Sequence, residues 1–182
     1  MTEPLLGHAI LVLTALQRAL ELIWAGANTR RLLARGAVAV PRDGFLGLLV
    51  VHVAWLAAMA IERFVFGARI PAMPVALALG AALVTTEALR AWTLATLGRR
   101  WTIRVVVRSG EAPVASGPYR LLKHPNYVVV TLEMLLLPCL LGAWWTAAAV
   151  VVPHAFTLAY RIRREEAAWR EVAARSLGPI RT

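Results

Sequence analysis

The chain has 182 residues, of which 59% are hydrophobic and 16% are charged. Because soluble proteins average about 25% charged residues, this composition excludes a disordered chain and argues against a soluble domain. Lys and Arg outnumber Asp and Glu by 20 to 10, which gives a formal net charge of +10. In a membrane protein such an excess is typical of loops beside anionic lipid, so we expect membrane lipids and no nucleic acid as partners.

Five apolar segments are predicted to cross the bilayer, for which a helix needs about 20 residues. The first two are residues 5–25 and 44–61, and the third begins after Pro71 and Pro74 and ends near residue 97. The last two, 127–142 and 144–160, contain Pro138 and Pro153, which are expected to bend or break them. They form a tight helical hairpin or one re-entrant pair. The predicted fold is all-α and polytopic, with about five transmembrane helices in a single domain over residues 1–182.

The basic residues concentrate in three segments, which are residues 28–43, residues 98–126 and the tail from residue 161. Five spans place all three on one side of the membrane, and the positive-inside rule makes that side cytoplasmic. The N-terminus is then outside and the C-terminus is in the cytoplasm. The tail has apolar residues at helical spacing, so we expect a helix that continues from the fifth span and ends at Gly178-Pro179.

Ionisable residues inside spans are functional candidates, because burying a charge in hydrocarbon costs about 3 kcal/mol or more. Glu87 and Arg90 share a helix face and form either a mutual salt bridge or a polar wall beside a ligand. Glu133 has no basic residue three or four positions away, so it pairs across helices, is protonated, or contacts a ligand. His52 and His154 also lie within spans, where a buried histidine is more often a packing residue.

The loop before the fourth span carries the informative motif, SGPYRLLKHPNYVVV at residues 116–130. Gly117-Pro118 is a turn signal, and Pro125 restricts His124 to an extended conformation. GPYR, then KHPNY, then an apolar hairpin and RIRREE resemble the isoprenylcysteine carboxyl methyltransferase (ICMT) family of integral membrane enzymes. The resemblance covers about residues 85–171.

This resemblance implies an enzyme that uses S-adenosylmethionine and a lipophilic small-molecule acceptor that enters from the bilayer. The cytoplasmic loop and the C-terminal helix hold the cofactor, and no metal is expected. The residues that match the cofactor positions are Tyr119, His124, Pro125, Tyr127, Glu165 and Glu166. Arg161, Arg164, Lys123 and Glu133 are assigned to catalysis by the match or by their chemistry.

The residue types suit this cofactor. None of the 12 glycines forms a G-x-G, so the soluble dinucleotide fingerprint is absent. Carboxylates can pair with the ammonium or the ribose hydroxyls of the cofactor, and Lys123 or the arginines can pair with its carboxylate. The rings of Tyr119 and Tyr127 can attract the sulfonium. An interface rich in solvated arginines explains the tail cluster equally well.

The predicted function is therefore O-methylation of a carboxyl or acidic hydroxyl group on a lipid-like acceptor. The segment around Glu133 is similar to a bacterial branch that methylates lipid polyketides such as alkylpyrones, and the Ala, Arg and Leu-rich composition indicates a bacterial inner membrane. Two alternatives stay open. One is phospholipid N-methylation, in which Glu133 or Glu87 would accept a proton, and the other is a non-catalytic lipid-binding subunit.

Overall fold

A computed structural model describes the backbone of residues 2–176 and the side chains of residues 5–174. The described helices are α1 (Thr2–Leu33), α2 (Phe45–Phe64), α3 (Met73–Leu97), α4 (Pro125–Leu140) and α5 (Trp144–Ser176). Two short strands, β1 (Val38–Ala39) and β2 (Val106–Val107), pair antiparallel, and 3₁₀ turns occupy Gly98–Arg100 and Gly117–Arg120. The described chain is 75% helical, this ribbon and the connecting loops make up the rest, and the predicted all-α class is confirmed.

Among the described residues, three helices are long and apolar enough to cross a bilayer, at Leu5–Leu33, Phe45–Phe64 and Met73–Arg100. A shorter apolar helix occupies Pro125–Leu140. This arrangement is compatible with the predicted polytopic membrane fold, while the count of five spans stays a prediction. The first helix continues to Leu33, past the expected end at residue 25. Its polar residues Gln17 and Arg18 pair with Glu87 of α3 and Glu133 of α4.

The two prolines inside the last helices do not end them. Pro138 lies in the final turn of α4, and Pro153 lies within α5. A proline has no N–H for the carbonyl four residues earlier. For Pro138 that carbonyl belongs to Met134, and it accepts a hydrogen bond from Nε1 of Trp55 at 3.1 Å. The hydrogen bond that proline removes is thus replaced by one from a neighbouring helix.

A tight turn joins α4 to α5, as the hairpin interpretation expected. Gly142 adopts a positive φ of 74°, and a Cβ at this position would lie 1.9 Å from the carbonyl oxygen of Arg69. No other residue fits this turn. The N-terminus of α5 is capped by the buried Glu62 of α2, which accepts from the backbone N–H groups of Trp145 at 3.2 Å and Thr146 at 2.6 Å.

The helices pack so that α3 contacts α4, and α5 contacts both α2 and α4. The buried apolar core includes Leu11 of α1, Trp55 and Met59 of α2, and Met134 and Leu137 of α4. α5 runs without interruption from the hairpin into the basic tail, which confirms the predicted continuity. The expected helix end at Gly178-Pro179 lies outside the described residues. Both the ribbon and the second half of α5 lie at one end of the bundle, which we call the loop end.

Candidate active site

A central cavity of about 800 Å³ is lined by all five helices and by the segment between α3 and α4. Pockets that bind small molecules measure roughly 300–1,000 Å³. At the loop end the cavity wall is polar and aromatic. Along α2 it is mainly apolar, with Leu48, Leu49, Val53 and Leu56 on one helix face. One space therefore joins the motif residues of the loop to the interior of the helix bundle.

The turn at Gly117–Arg120 fixes the start of the motif. Gly117 has a φ of 55°, and a Cβ there would lie 2.3 Å from Oγ1 of Thr96 on α3. Pro118 is buried, and Pro125 is the first residue of α4. His124 precedes it with φ −134° and ψ 66°, so its backbone is outside the α region, as expected before a proline, but it is not in the extended conformation that was predicted. The loop is thereby held rigidly between the ends of α3 and α4.

Tyr127 connects α4 to the tail of α5. Its hydroxyl donates a short hydrogen bond to Oε2 of Glu165 and accepts one from Nε of Arg161 at 3.2 Å. Burial raises the pKa of Tyr119 to about 12, and the negative charge of Glu165 adds to this shift. Tyr119 is therefore a neutral phenol at physiological pH. Two aromatic rings and one carboxylate share this part of the cavity wall.

Glu166 forms a second cluster at the mouth of the cavity. Nζ of Lys123 lies 2.5 Å from its Oε1, and Nε2 of His124 lies 3.4 Å from the same atom. The hydrogen bond from Lys123, followed by the one from His124, holds the pKa of Glu166 below its usual range. The ring of His124 also stacks on Tyr127, with the ring centroids 5.2 Å apart. Lys123, Glu166 and the stacked rings of His124 and Tyr127 thus form one connected cluster.

Asp43 holds two arginines of the cavity wall, Arg104 and Arg161, and sequence reasoning missed it. It is buried between α1 and α2, and its Oδ2 accepts from Nε of Arg104 at 2.8 Å and from the N–H of Val105 at 2.9 Å. Burial alone would raise the pKa of Asp43, but these bonds, the N–H of Phe45 and the charge of Arg161 hold it below the ordinary value. The available signal was that Asp43 is the lone acidic residue in a segment with four arginines.

Arg161 and Arg164 differ in position, although both matched the basic positions of the motif. Arg161 lines the cavity and is buried, with Nη1 donating to Oδ2 of Asp43 at 3.4 Å and Nη2 donating to the carbonyl of Ile103. Arg164 is absent from the cavity lining, and its Nη2 donates to the carbonyl of Pro41 at 2.7 Å. Of the two arginines, Arg161 is thus the one placed to contact a ligand.

Four charged residues within the helix bundle form a closed ring, which we call the ion-pair ring (Arg18, Glu21, Arg90 and Glu133). Arg18 lies 2.8 Å from Glu21 and 2.7 Å from Glu133. Arg90 lies 3.0 Å from Glu21 and forms a short bidentate pair with Glu133. Each guanidinium contacts both carboxyl groups, so each of the four side chains has two partners within the ring. Of the three possibilities for Glu133, pairing across helices is the one observed.

The expected Glu87–Arg90 salt bridge is a minor contact. The distance from Nε of Arg90 to Oε2 of Glu87 is 3.5 Å, whereas Glu133 and Glu21 lie closer to the guanidinium. Glu87 also accepts from Gln17 at 3.1 Å. Arg18 and Glu21 lie within the first predicted span, and they were not predicted as partners of Arg90 and Glu133. The signal in the sequence was that Gln17, Arg18 and Glu21 lie on one face of α1, where they can contact polar residues of other helices.

The cavity brings together most of the residues predicted for the site. Those that line it are Tyr119, Lys123, His124, Tyr127, Arg161, Glu165 and Glu166. Pro125 acts through the backbone, and Glu133 and Arg164 lie behind the wall. Other residues that line the same cavity include Arg18, Glu21, Arg104, Trp169 and Arg170, which were not predicted, and Arg90 and His52, which were named as candidates within the spans. His154 is buried elsewhere, with Nε2 at 3.0 Å from Oγ1 of Thr131.

Comparison with known proteins gives two matches. A family model described as "Isoprenylcysteine carboxyl methyltransferase (ICMT) family" matches residues 76–171, which is more than half of the chain. In Bacillus subtilis (strain 168), a protein named "Uncharacterized protein YpbQ" is 28% identical over 166 residues, which cover 91% of this chain and 98% of that protein. No solved structure matches the chain. The family match contains the loop motif, α4 and the paired glutamates of α5.

Proposed function

Because the chain belongs to the isoprenylcysteine carboxyl methyltransferase family, a family of S-adenosylmethionine-dependent membrane enzymes, we propose that it methylates an oxygen atom of a lipophilic acceptor. The acceptor group is a carboxyl or an acidic hydroxyl, and a polyketide alkylpyrone is one such molecule. The observation that carries this proposal is the central cavity. It connects a loop-end pocket, lined by aromatic rings and by charges of both signs, with an apolar wall along α2.

The residues at the loop end fit S-adenosylmethionine by their charges. This cofactor carries an ammonium, a carboxylate, a sulfonium and ribose hydroxyls. Glu165 and Glu166 would pair with the ammonium or the hydroxyls, Lys123 would pair with the carboxylate, and the rings of Tyr119 and Tyr127 would face the sulfonium. When bound, the cofactor supplies a methyl group activated by the positive sulfur. The protein contributes alignment and exclusion of water.

The internal ion pairs of this pocket support the same proposal. Lys123 and Glu166 already hold opposite charges side by side, so a zwitterionic ligand can exchange partners with them without leaving either charge alone. Arg161 is held rigidly by Asp43 and Tyr127. It is therefore our candidate for orienting the acceptor oxygen, while Arg164 has a structural role at Pro41.

The proposed location is a bacterial inner membrane with the loop end in the cytoplasm, where the cofactor is made available. Arginines of the central segment and of α5, such as Arg100, Arg104 and Arg170, surround the mouth of the cavity. The positive-inside rule then favours an outside N-terminus and a cytoplasmic C-terminus. Reporter fusions at the two ends test this. An active cytoplasmic reporter at the N-terminus would contradict the orientation.

Cofactor binding is the first test. Calorimetry in detergent should show S-adenosylmethionine binding to the wild type, and Glu165→Gln should weaken it about 10- to 100-fold, since it removes a charge-assisted hydrogen bond. Glu166→Gln and His124→Ala should also weaken binding. The matched control is Glu171→Gln, which makes the same change at an exposed position of α5 outside the cavity lining. An absence of binding to the wild type refutes the enzyme proposal.

Methyl transfer is the second test. Tritiated S-adenosylmethionine is incubated with the protein and a bacterial lipid extract, and the labelled product is treated with base. Base-labile label identifies an ester, whereas base-stable label identifies an ether or an amine. An amine product would establish the phospholipid N-methylation alternative instead. Cofactor binding with no labelled lipid from any extract would contradict the proposed lipophilic acceptor.

A further inference from the structure

The loop between α1 and α2 is held by side chains from the second half of α5. Nη2 of Arg164 donates to the carbonyl oxygen of Pro41 at 2.7 Å. The hydroxyl of Tyr160 donates to the carbonyl oxygen of Arg42 at 2.9 Å. The next carbonyl along the chain accepts from Nη1 of Arg161 at 3.3 Å. Three successive carbonyls are therefore bound by one stretch of α5, and we call these three contacts the clasp.

The backbone of the loop is strained where the clasp binds it. Among the described residues Arg42 is the one residue other than glycine with a positive φ, which is 52°. A side chain with a Cβ is unfavourable in this left-handed conformation, and the side chain of Arg42 is exposed. Gly44 follows with a φ of 82°, and a Cβ there would lie 3.0 Å from Cδ1 of Tyr160. The loop conformation therefore brings backbone atoms, and not the Arg42 side chain, against α5.

The residues of the clasp share one face of α5. Tyr160 and Arg164 are four positions apart, so their side chains lie one above the other on the helix. Ala168 continues this row by four more positions, and it is buried in one apolar cluster with Val40 and Val105. The whole row thus packs on the loop and on the segment that pairs with it, over more than two helical turns.

The cavity is lined by a neighbouring face of the same helix. This face carries Arg161, Glu165, Trp169 and Ala173 at intervals of four residues. Arg161 belongs both to this row and to the clasp, so it lies at the boundary between the two faces. The rotation of a helix about its own axis decides where such a row points. The contacts of one face with the loop therefore set the direction of the other.

We propose that Tyr160 and Arg164 are positioning residues, which fix the rotation of α5 and thereby direct its cavity face towards the ligand. This inference rests on the proposed function, in which Glu165 binds S-adenosylmethionine. Neither Tyr160 nor Arg164 is part of the cavity lining that the structure describes, so both act through the helix. The strained φ of Arg42 is then a consequence of presenting successive carbonyls to α5.

Cofactor affinity is the first test, measured by calorimetry with S-adenosylmethionine in detergent. Arg164→Met removes the donor to Pro41 and should weaken binding about three- to tenfold, whereas Tyr160→Phe/Arg164→Met should weaken it about 10- to 100-fold. Arg164→Lys keeps a donor and a charge at this position, so its affinity should stay within about twofold of the wild type. Arg163→Met is the control, because it removes a charge from an exposed position of α5 outside the cavity lining.

Each outcome of this test separates the inference from the proposed function. If the wild type binds and the double variant binds equally well, the inference fails and the proposed function stands. If Arg164→Lys binds as weakly as Arg164→Met, the donated hydrogen bond is not what matters, and the inference also fails. If the wild type does not bind S-adenosylmethionine, the proposed function fails, and the second test decides whether the clasp holds the loop.

The second test needs no ligand and measures the strain in the loop by thermal unfolding in detergent. Glycine adopts a positive φ without a Cβ clash, so Arg42→Gly should unfold at a temperature about 2–4 °C higher than Arg42→Ala. When both changes are made in Tyr160→Phe/Arg164→Met, the loop can relax, and the difference should fall to about half or less. An equal difference in both backgrounds would show that the loop adopts this conformation without the clasp, and it would overturn the inference.

Discussion

The two charged regions beside the central cavity both consist of paired cations and carboxylates, but they differ in burial. At the loop end, Lys123 pairs with Glu166, and the lysine side chain is 72% exposed. In the ion-pair ring, Arg90 pairs with Glu133, and the arginine side chain is 3% exposed. Exposed ion pairs contribute little to stability because water solvates each partner well. A buried charge that loses its partner is not solvated by water, so its loss of the partner strongly destabilises the folded state.

This difference separates two roles for charge in one cavity. The loop-end pairs can exchange their partners for those of a ligand, because breaking them leaves solvated groups. Separating the ion pairs of the ring costs more free energy than separating those of the loop end, because each guanidinium contacts both carboxylates in the bundle interior. We infer that the ring fixes α1 against α3 and α4 and thereby shapes the cavity, while the loop end changes its contacts when a ligand binds.

Arg90→Met should have the largest effect, since it leaves Glu21 and Glu133 with half of their partners. We expect the free energy of unfolding to fall by about 3–5 kcal/mol, measured by chemical denaturation in detergent with circular dichroism. Arg99→Met is the control, because it makes the same change at an exposed position beyond α3. An equal, small effect of both changes would show that the ring is not a structural lock.

The double variant Arg90→Met/Glu133→Met sharpens this test. It removes one cation and one anion together and leaves the Arg18–Glu21 pair, which are 2.8 Å apart. Replacement of a buried pair by apolar residues is often close to neutral. The double variant should therefore unfold at a higher denaturant concentration than Arg90→Met. A double variant that is less stable than the single one would mean that the volume of the side chains, and not their charge, matters at this site.

Asp43→Asn should have an intermediate effect, because Asp43 is buried like the ring but lies at the loop end. Loss of the charge-assisted bonds to Arg104 and Arg161 should lower the free energy of unfolding by about 1–3 kcal/mol at pH 7. The pKa of Asp43 is depressed in the folded state, so its contribution is present above the unfolded pKa of about 3.9 and is lost as pH falls below it.

The measurement for Asp43 is a pH series of unfolding curves for the wild type and the variant. Their difference should be constant between about pH 5 and pH 7 and should shrink below about pH 4. Glu171→Gln, at an exposed position of α5, controls for a general effect of losing a carboxylate. A difference that grows towards acid pH would have the wrong sign and would exclude the anchoring role of Asp43.

The same comparison explains how much was predictable from the sequence. The loop-end site consists of three short segments, GPYR, KHPNY and RIRREE, whose motif and helical spacing are visible in the sequence. The continuity of α5 and the Gly142 turn follow from composition and from the glycine and proline positions. The residues Tyr119, His124, Tyr127, Glu165 and Glu166 therefore meet at one cavity, as expected.

The contacts of the ion-pair ring and of Asp43 could not be predicted in this way, because they join residues that are far apart in the sequence. Arg18 and Glu133 are 115 positions apart, and Arg161 and Asp43 are 118 apart. Spacing within one helix indicates which residues share a face, but not which face of another helix it meets. For the same reason Glu87, the in-helix neighbour of Arg90, was the natural candidate, although the nearer partners lie on α1 and α4. Tertiary packing selected the partners.

Lys123→Met should have the smallest effect on folding, and this is the sharpest test of the contrast between exposed and buried pairs. Because Lys123 is largely exposed, we expect no measurable change in the thermal unfolding of the apoprotein in detergent. The pKa of Glu166 should rise towards its usual value, since the hydrogen bond from Lys123 is the first cause of its depression. S-adenosylmethionine affinity should fall about three- to tenfold, because the ligand carboxylate loses its partner.

Arg163→Met, an exposed change on α5 outside the cavity lining, should leave both unfolding and affinity unchanged. A Lys123→Met protein that unfolds as easily as Arg90→Met would show that the exposed pair is also structural, and the distinction between an exchangeable loop end and a fixed ring would then be wrong.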